Sequence, residues 1–225
     1  MNADEQLQLA EAADASGNSE LALSMYAAAM ASKPGNIDLR LRCADALARR
    51  GKISEARYVL AEGSKAQPGQ PDLGRALALI DLVAGQPAQA VAGLDKVLAA
   101  NPGDTKALVD KAVALDLQGQ HTAAQAIYHE VLATSPNDAA AINNLALSQV
   151  LEGRTHQALE TLKPMQDVDG SPQRLKVNLG ILYAATGNLE QSRQLLGDRV
   201  TNSDVAELAR ALTSSSIEEK NAPPR

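Results

Sequence analysis

The residues with the chemistry to turn over a substrate are few, and they are badly spaced for it. His121, His129 and His156 are the only histidines, no two of them are three or four residues apart on a helix, and no cysteine lies near them in sequence. The spacing that gathers ligands around a metal is therefore missing, and imidazoles so placed belong on the surface or at helix starts. Asp110 and Asp116 form a carboxylate pair of the kind that serves general acid–base chemistry, but neither a nucleophile nor a glycine-rich phosphate loop accompanies them. Acidic residues along the chain lie on helical segments beside basic or polar neighbours, which suits solvated faces. The sequence thus points to no catalytic residue, no metal and no cofactor, and away from an enzyme.

The elements that carry these residues are set by a single period. Glycine recurs at Gly17, Gly51, Gly85, Gly119, Gly153 and Gly187, each 34 residues after the last, and self-similarity at that spacing is the mark of a helix-turn-helix solenoid. Seven residues before each glycine stands Ala10, Ala44, Ala78, Ala112, Ala146 and then Gly180; five residues after stands Ala22, Ala56, Ala90, Ala124, Ala158 and then Ser192. These two small columns allow close approach of the helix axes. Pro34, Pro68, Pro102 and Pro136 follow the first four glycines by 17 residues and end each second helix. Asn36, Asp104 and Asp138 are placed to cap the next helix, and Pro87 fits a first helical turn. The glycines must reverse the chain in the left-handed region, so Gly119 and Gly153 are expected at positive φ.

Composition narrows the function further. With 225 residues and 45% hydrophobic content the chain has ample material for a core, yet it contains no Phe and no Trp. A net charge of -6 opposes phosphate, and the aromatic platforms for base stacking are nearly absent, so nucleic acid is an unsuitable partner. No apolar run approaches a transmembrane helix. Met1 to Leu7 lacks a basic stretch followed by an apolar one, and there is no lipid-acceptor cysteine near the start; as written, the chain is expected in the cytoplasm unless a leader is missing. Cys43 has no internal disulfide partner and reads as a small buried hydrophobe.

These columns resemble the tetratricopeptide repeat family over nearly the whole chain. The resemblance implies an all-α, right-handed solenoid of six helix-turn-helix repeats beginning near residues 3, 37, 71, 105, 139 and 173. Residues 203–213 would form a C-terminal capping helix, so that 1–213 is one solenoid domain and 214–225 a disordered tail. In this numbering Cys43 and Lys111 hold the core-facing seventh position, Lys111 with its stem packed inward and its ammonium reaching water. Positions two, five, nine, twelve and thirteen of each first helix line the concave wall in this family. Here the first two repeats give an acidic end: Asp4, Glu11, Asp14, Asp38 and Asp45, with Arg49. The remainder is mainly apolar: Leu79, Leu82 and Val83 in repeat three; Val109, Val113 and Leu117 in repeat four; Leu147, Val150 and Leu151 in repeat five; Val177 and Ile181 in repeat six. Lys106 and Arg174 stand at its edge and Asn143 within it.

A stripe of that size is expected to be covered, either by the protein itself, through curvature or the 203–213 helix, or by an amphipathic segment of a partner. Leu147, Val150, Val177 and Ile181 are expected to form a continuous floor with Asn143 and Asn144 beside it. Asn144 and Asn178 share the sixth position, where asparagine in some members holds the backbone of an extended peptide and in others serves repeat packing. The clamp that chaperone-binding members use for an acidic C-terminus is not formed: its positions are occupied by Val109, Val113, Asn144, Arg174 and Asn178.

The C-terminal half carries a narrower resemblance. Pro164 interrupts the second helix of repeat five, Asp169-Gly-Ser-Pro172 replaces the proline register, and Arg174-Leu-Lys-Val-Asn-Leu179 opens repeat six. With Ala114-Leu-Asp-Leu-Gln-Gly119, Asn143-Asn-Leu-Ala-Leu-Ser148 and Asp198 to Leu208, residues 71–212 resemble the TadD family of tight-adherence (Flp) pilus assembly. That resemblance implies a non-catalytic, pilotin-like protein that localises a secretin at the periplasmic face of the outer membrane, with the secretin or another assembly component as partner. The alternative is a cytoplasmic scaffold or co-chaperone with an unrelated peptide partner.

Overall fold

The computed structural model describes residues 1–166, 168, 170 and 172–197. The described residues form twelve α-helices and no strand. The expected capping helix at 203–213, the tail at 214–225 and the 198–208 stretch lie outside them. First helices begin at Ala3, Ile37, Pro71, Thr105, Ala139 and Gln173: α1 (Ala3–Ala15), α3 (Ile37–Arg49), α5 (Pro71–Val83), α7 (Thr105–Asp116), α9 (Ala139–Leu151) and α11 (Gln173–Ala185). Their partners are α2 (Ser19–Ser32), α4 (Ile53–Ala66), α6 (Pro87–Ala100), α8 (His121–Thr134), α10 (Thr155–Leu162) and α12 (Leu189–Leu196). The chain divides into two compact units, Met1–Ala114 and one starting at Leu115.

The reversal inside each repeat is made as the glycine column predicts. All six turn glycines have φ between 71° and 86°, with Gly119 at 73° and Gly153 at 74°. The residue after each glycine donates its N–H five residues back, Gln120 to the Leu115 carbonyl at 2.9 Å and Arg154 to that of Gln149 at 2.8 Å, which satisfies carbonyls the helix end would leave bare. Between repeats, Asn36 caps α3 by accepting from the Leu39 N–H at 3.2 Å, and Asp138 caps α9 by accepting from Ala141 at 2.8 Å. Asp104 accepts from Ala107 at 3.0 Å at the start of α7. Pro164 shortens α10: after Leu162 the chain tightens into a 3₁₀ turn over Lys163–Met165.

Both small columns are buried without exception. In the first unit, Ala10, Ala44, Ala22 and Ala56 sit among Tyr26, Cys43, Leu47, Leu60 and Leu73, and Ala78 and Ala90 meet Leu94 and Val97. In the second, Ala146 and Ala158 pack with Leu162, Leu175, Leu179 and Tyr183. Gly180 departs from alanine for a steric reason, since a Cβ there would lie 2.6 Å from Leu196 Cγ. Close approach, which is what gives these helices their contact enthalpy, leaves that column no room for a branched side chain.

Candidate functional site

On the first helices of repeats one and two, the expected acidic end is corrected by its ion pairs. Glu11 meets Arg42, which also bonds Asp38 through Nε at 2.8 Å; Asp14 takes Arg49 at 2.6 Å and Arg50 beside it; Asp45 also pairs with Arg49. At the outer end Asp4 holds Lys33 at 2.8 Å. Glu11 and Asp14 are matched by guanidinium groups one repeat later and the other acids by cations of their own repeat, so this wall is a paired network rather than an acidic surface. Beneath it Tyr26 is pushed above its ordinary pKa, first by burial and then by Asp14 and Glu11.

Further along the first unit, Leu79, Leu82 and Val113 are half-buried, Lys106 is exposed, and Val83 stands 65% exposed. Val109 is buried, a correction to its place on an open wall: the fifth position of α7 turns inward. Asp110 pairs with Arg75 Nε at 2.6 Å; burial pushes its carboxyl up and the Arg75 charge pulls it back. Lys111 reaches Asp95 at 2.6 Å with its stem inward. Cys43 is buried, and desolvation pushes its thiol up to about 11.

The second unit brings together what the sequence left apart. Leu147 is 42% exposed on α9 and Val177 36% on α11, with Val150 and Ile181 half-buried and Arg174 exposed. Leu117 and Leu151, at the ends of their first helices, are 61% and 52% exposed. Asn143 is buried instead of open: its Oδ1 accepts from Asn178 Nδ2 at 2.7 Å, and its Nδ2 donates to Asn144 Oδ1 at 3.2 Å. One amide bond, from Asn178 to Asn143, therefore links α11 to α9, and Asn144 continues it along α9. Asn144 and Asn178 remain half-buried.

A second polar cluster was missed. Asp116 Oδ1 meets His121 Nδ1 at 2.8 Å and accepts from Ser148 Oγ at 2.6 Å, while its Oδ2 accepts from Tyr128 OH at 3.1 Å. A serine, a histidine and an aspartate in one cluster invite comparison with a hydrolase, but the geometry opposes it. The serine proton is committed to the carboxylate, not to the imidazole, and Ser148 is fully buried. Gln125 continues the network, donating to Ser148 Oγ at 3.1 Å and Glu152 at 2.7 Å and accepting from Arg154 at 2.6 Å. His129 and His156 are exposed. Among the described residues no group of three or more His, Cys, Asp or Glu side chains is placed to hold a metal, and no helix is long and apolar enough to cross a membrane.

One signal in the sequence would have found these pairs. Glu11 and Arg42 are 31 residues apart, Ser148 and Asp116 32, and Arg49–Asp14, Arg75–Asp110 and Asn178–Asn143 each 35. Complementary polar residues about one period apart mark the joints between successive repeats.

A family profile described as Tetratricopeptide repeat matches residues 13–80 and 82–147. The chain belongs to the tetratricopeptide repeat family. Solved tetratricopeptide proteins share the fold across most of their length. One from Parabacteroides merdae is 17% identical, with a TM-score of 0.74 over 94% of this chain and 84% of that one. PilW, a widely conserved type IV pilus biogenesis factor, is 21% identical, with 0.72 over 93% of this chain and 97% of its own. YrrB, a tetratricopeptide protein with an unusual peptide-binding site, is 14% identical, with 0.51 over 88% and 98%. At these identities the likeness is one of fold. No curated protein matches the tetratricopeptide chain in sequence.

Proposed function

We propose that the chain is a non-catalytic interaction module whose first helices hold an extended or amphipathic segment of a partner protein, and that it serves pilus assembly by localising a secretin, as TadD-like proteins do. The observation that carries the binding reading is the water exposure of Leu147 on α9 and of Val177 on α11, with Leu151 beside them. Apolar side chains kept in water on successive first helices suit a docking face for an apolar stripe. Arg174, exposed at the edge, suits an acidic flank on that segment. On this reading Leu79, Leu82, Lys106 and Val113 line the corresponding wall of the first unit. Residues 1–213 are read as one array because the 34-residue period runs unbroken from Gly85 through Gly119 and Gly153 to Gly187.

The pilus assignment is supported by the residue 71–212 resemblance and by the fold shared with a type IV pilus factor. The test is capture of the cognate secretin by the full chain. Leu147→Asp should abolish it with helical content unchanged, because docking would bury an unpaired carboxylate at a cost of several kcal/mol. Equal capture by the folded variant would move the binding surface elsewhere, and capture of no secretin by the wild type would remove the pilus reading.

A further inference from the structure

Repeat three departs from its neighbours in two columns that ought to be filled. At the twenty-third position, mid-way along each second helix, the other repeats carry Met25, Val59, Ile127, Thr161 and Leu195; repeat three carries Gly93. The helix gains nothing from it. Gly93 has no positive φ, and an added Cβ would meet only Ala78 Cβ at 3.7 Å, an ordinary contact. A helix-interior glycine lowers stability relative to alanine, so packing does not account for it. Gly74 differs, since a Cβ there would lie 2.7 Å from Val97 Cγ2. At the eleventh position the other repeats carry Ala13, Leu47, Leu115, Gln149 and Tyr183, while repeat three carries Asp81, buried and paired with Arg57 Nε at 2.8 Å.

Both exceptions line one cavity. It lies between α4, α5 and α6, with a volume of about 570 Å³, inside the range of roughly 300–1,000 Å³ typical of ligand pockets. Its apolar lining includes Leu77, Ala78 and Val97 as well as Gly93. The corresponding groove one repeat earlier presents Val59 where this one has Gly93 and Leu47 where this one has Asp81. Two cations line the cavity, in a chain of net charge -6. Arg57 uses Nε for Asp81 and leaves its terminal nitrogens without a partner among the described residues, and Lys96 has none there either. Gln67, Gln70 and Gln89 supply amides that both donate and accept, which suits a peptide backbone.

We propose that this cavity is a second peptide site, separate from the first-helix wall, that takes an apolar anchor side chain of a partner segment with an aspartate or glutamate beside it. The anchor fills the space that Gly93 leaves open, and its neighbouring carboxylate meets the Arg57 terminal nitrogens and Lys96, a planar fork and a point charge that both favour an anion.

The test is selection of a phage-displayed library of random 12-residue peptides on the full chain, with counter-selection on Gly93→Ile, which restores a residue type of that column. A motif pairing an apolar residue with Asp or Glu should enrich on the wild type alone. A synthetic peptide of that motif, followed by fluorescence anisotropy, should lose at least about tenfold in affinity on Gly93→Ile and on Lys96→Glu, and nothing on Leu147→Asp. Lys96→Glu changes an exposed side chain and keeps the test decisive if Gly93→Ile folds poorly. No wild-type-specific motif, a basic motif, or equal affinity in Lys96→Glu would overturn the proposal. So would decanoate binding at the cavity without any peptide enrichment, because the occupant would then be a free carboxylic acid.

Discussion

Across the joint between α1 and α3 two acids, Glu11 and Asp14, meet three arginines, whereas the polar link between α9 and α11 is made of amides. One backbone geometry supports both. What differs is what each leaves to water: the acids of the charged wall are paired with arginines, while Leu147, Leu151 and Val177 remain exposed beside linked amides. The exposed apolar side chains on which the proposed docking rests are therefore those of the second wall. The charged network is mostly half-exposed and is expected to add little stability per pair.

The sharpest way to break this contrast is to remove one carboxylate from each unit. Asp116→Ala removes the carboxylate that the Ser148 and Tyr128 hydroxyls and the His121 ring share in a largely buried site, and should cost on the order of 3 kcal/mol in urea unfolding. Asp14→Ala, which releases Arg49 and the partly exposed Arg50, should cost about 1–2 kcal/mol. Equal losses would mean that the charged joint is as deeply committed as the buried one. Gly119→Val and Gly153→Val, each forcing a β-branched residue to a φ above 70°, should each lower stability by about 1 kcal/mol or more; unchanged melting temperatures would show that the turns can reverse without the left-handed region. Arg42→Ala should cost no more than about 1 kcal/mol, and less in high salt, so a large salt-independent loss would overturn the view of that wall as a surface network. The smallest effect concerns Cys43. Its thiol is raised from 9.0 to about 11 in the folded chain, so folding favours the protonated form. The stability this adds is complete below pH 9 and fades as pH rises towards 11; Cys43→Ser should lose that alkaline dependence.

Much of the architecture was legible because it rests on backbone constraints that repeat. A turn glycine, two small columns and a helix-ending proline each answer to local sterics, so Gly119, Ala124 and Pro136 could be placed without knowing any neighbour. The caps at Asn36, Asp104 and Asp138 were readable for the same reason. Asn143 and Val109 were misjudged because the second- and fifth-position rule gives only the face of a helix, and a small rotation decides between groove and core. Asp14 looked available because its partners, Arg49 and Arg50, lie a full repeat away. Gly93 and Asp81 passed unnoticed because the columns were read for what they share, and the cavity arises where one repeat declines to share it.

The one-period spacing of the joints has a consequence for how such a chain can change length. Removing residues 37–70 would preserve every helix boundary, since the deletion is one whole period, and by the backbone alone the result should fold. It would nevertheless bring Val83 and Ala84 to the places where Arg49 and Arg50 now meet Asp14. The repeats are interchangeable in shape but not in order: each carries half of a lock whose key is in the next, and a shuffled chain would be assembled from the right parts with the wrong neighbours.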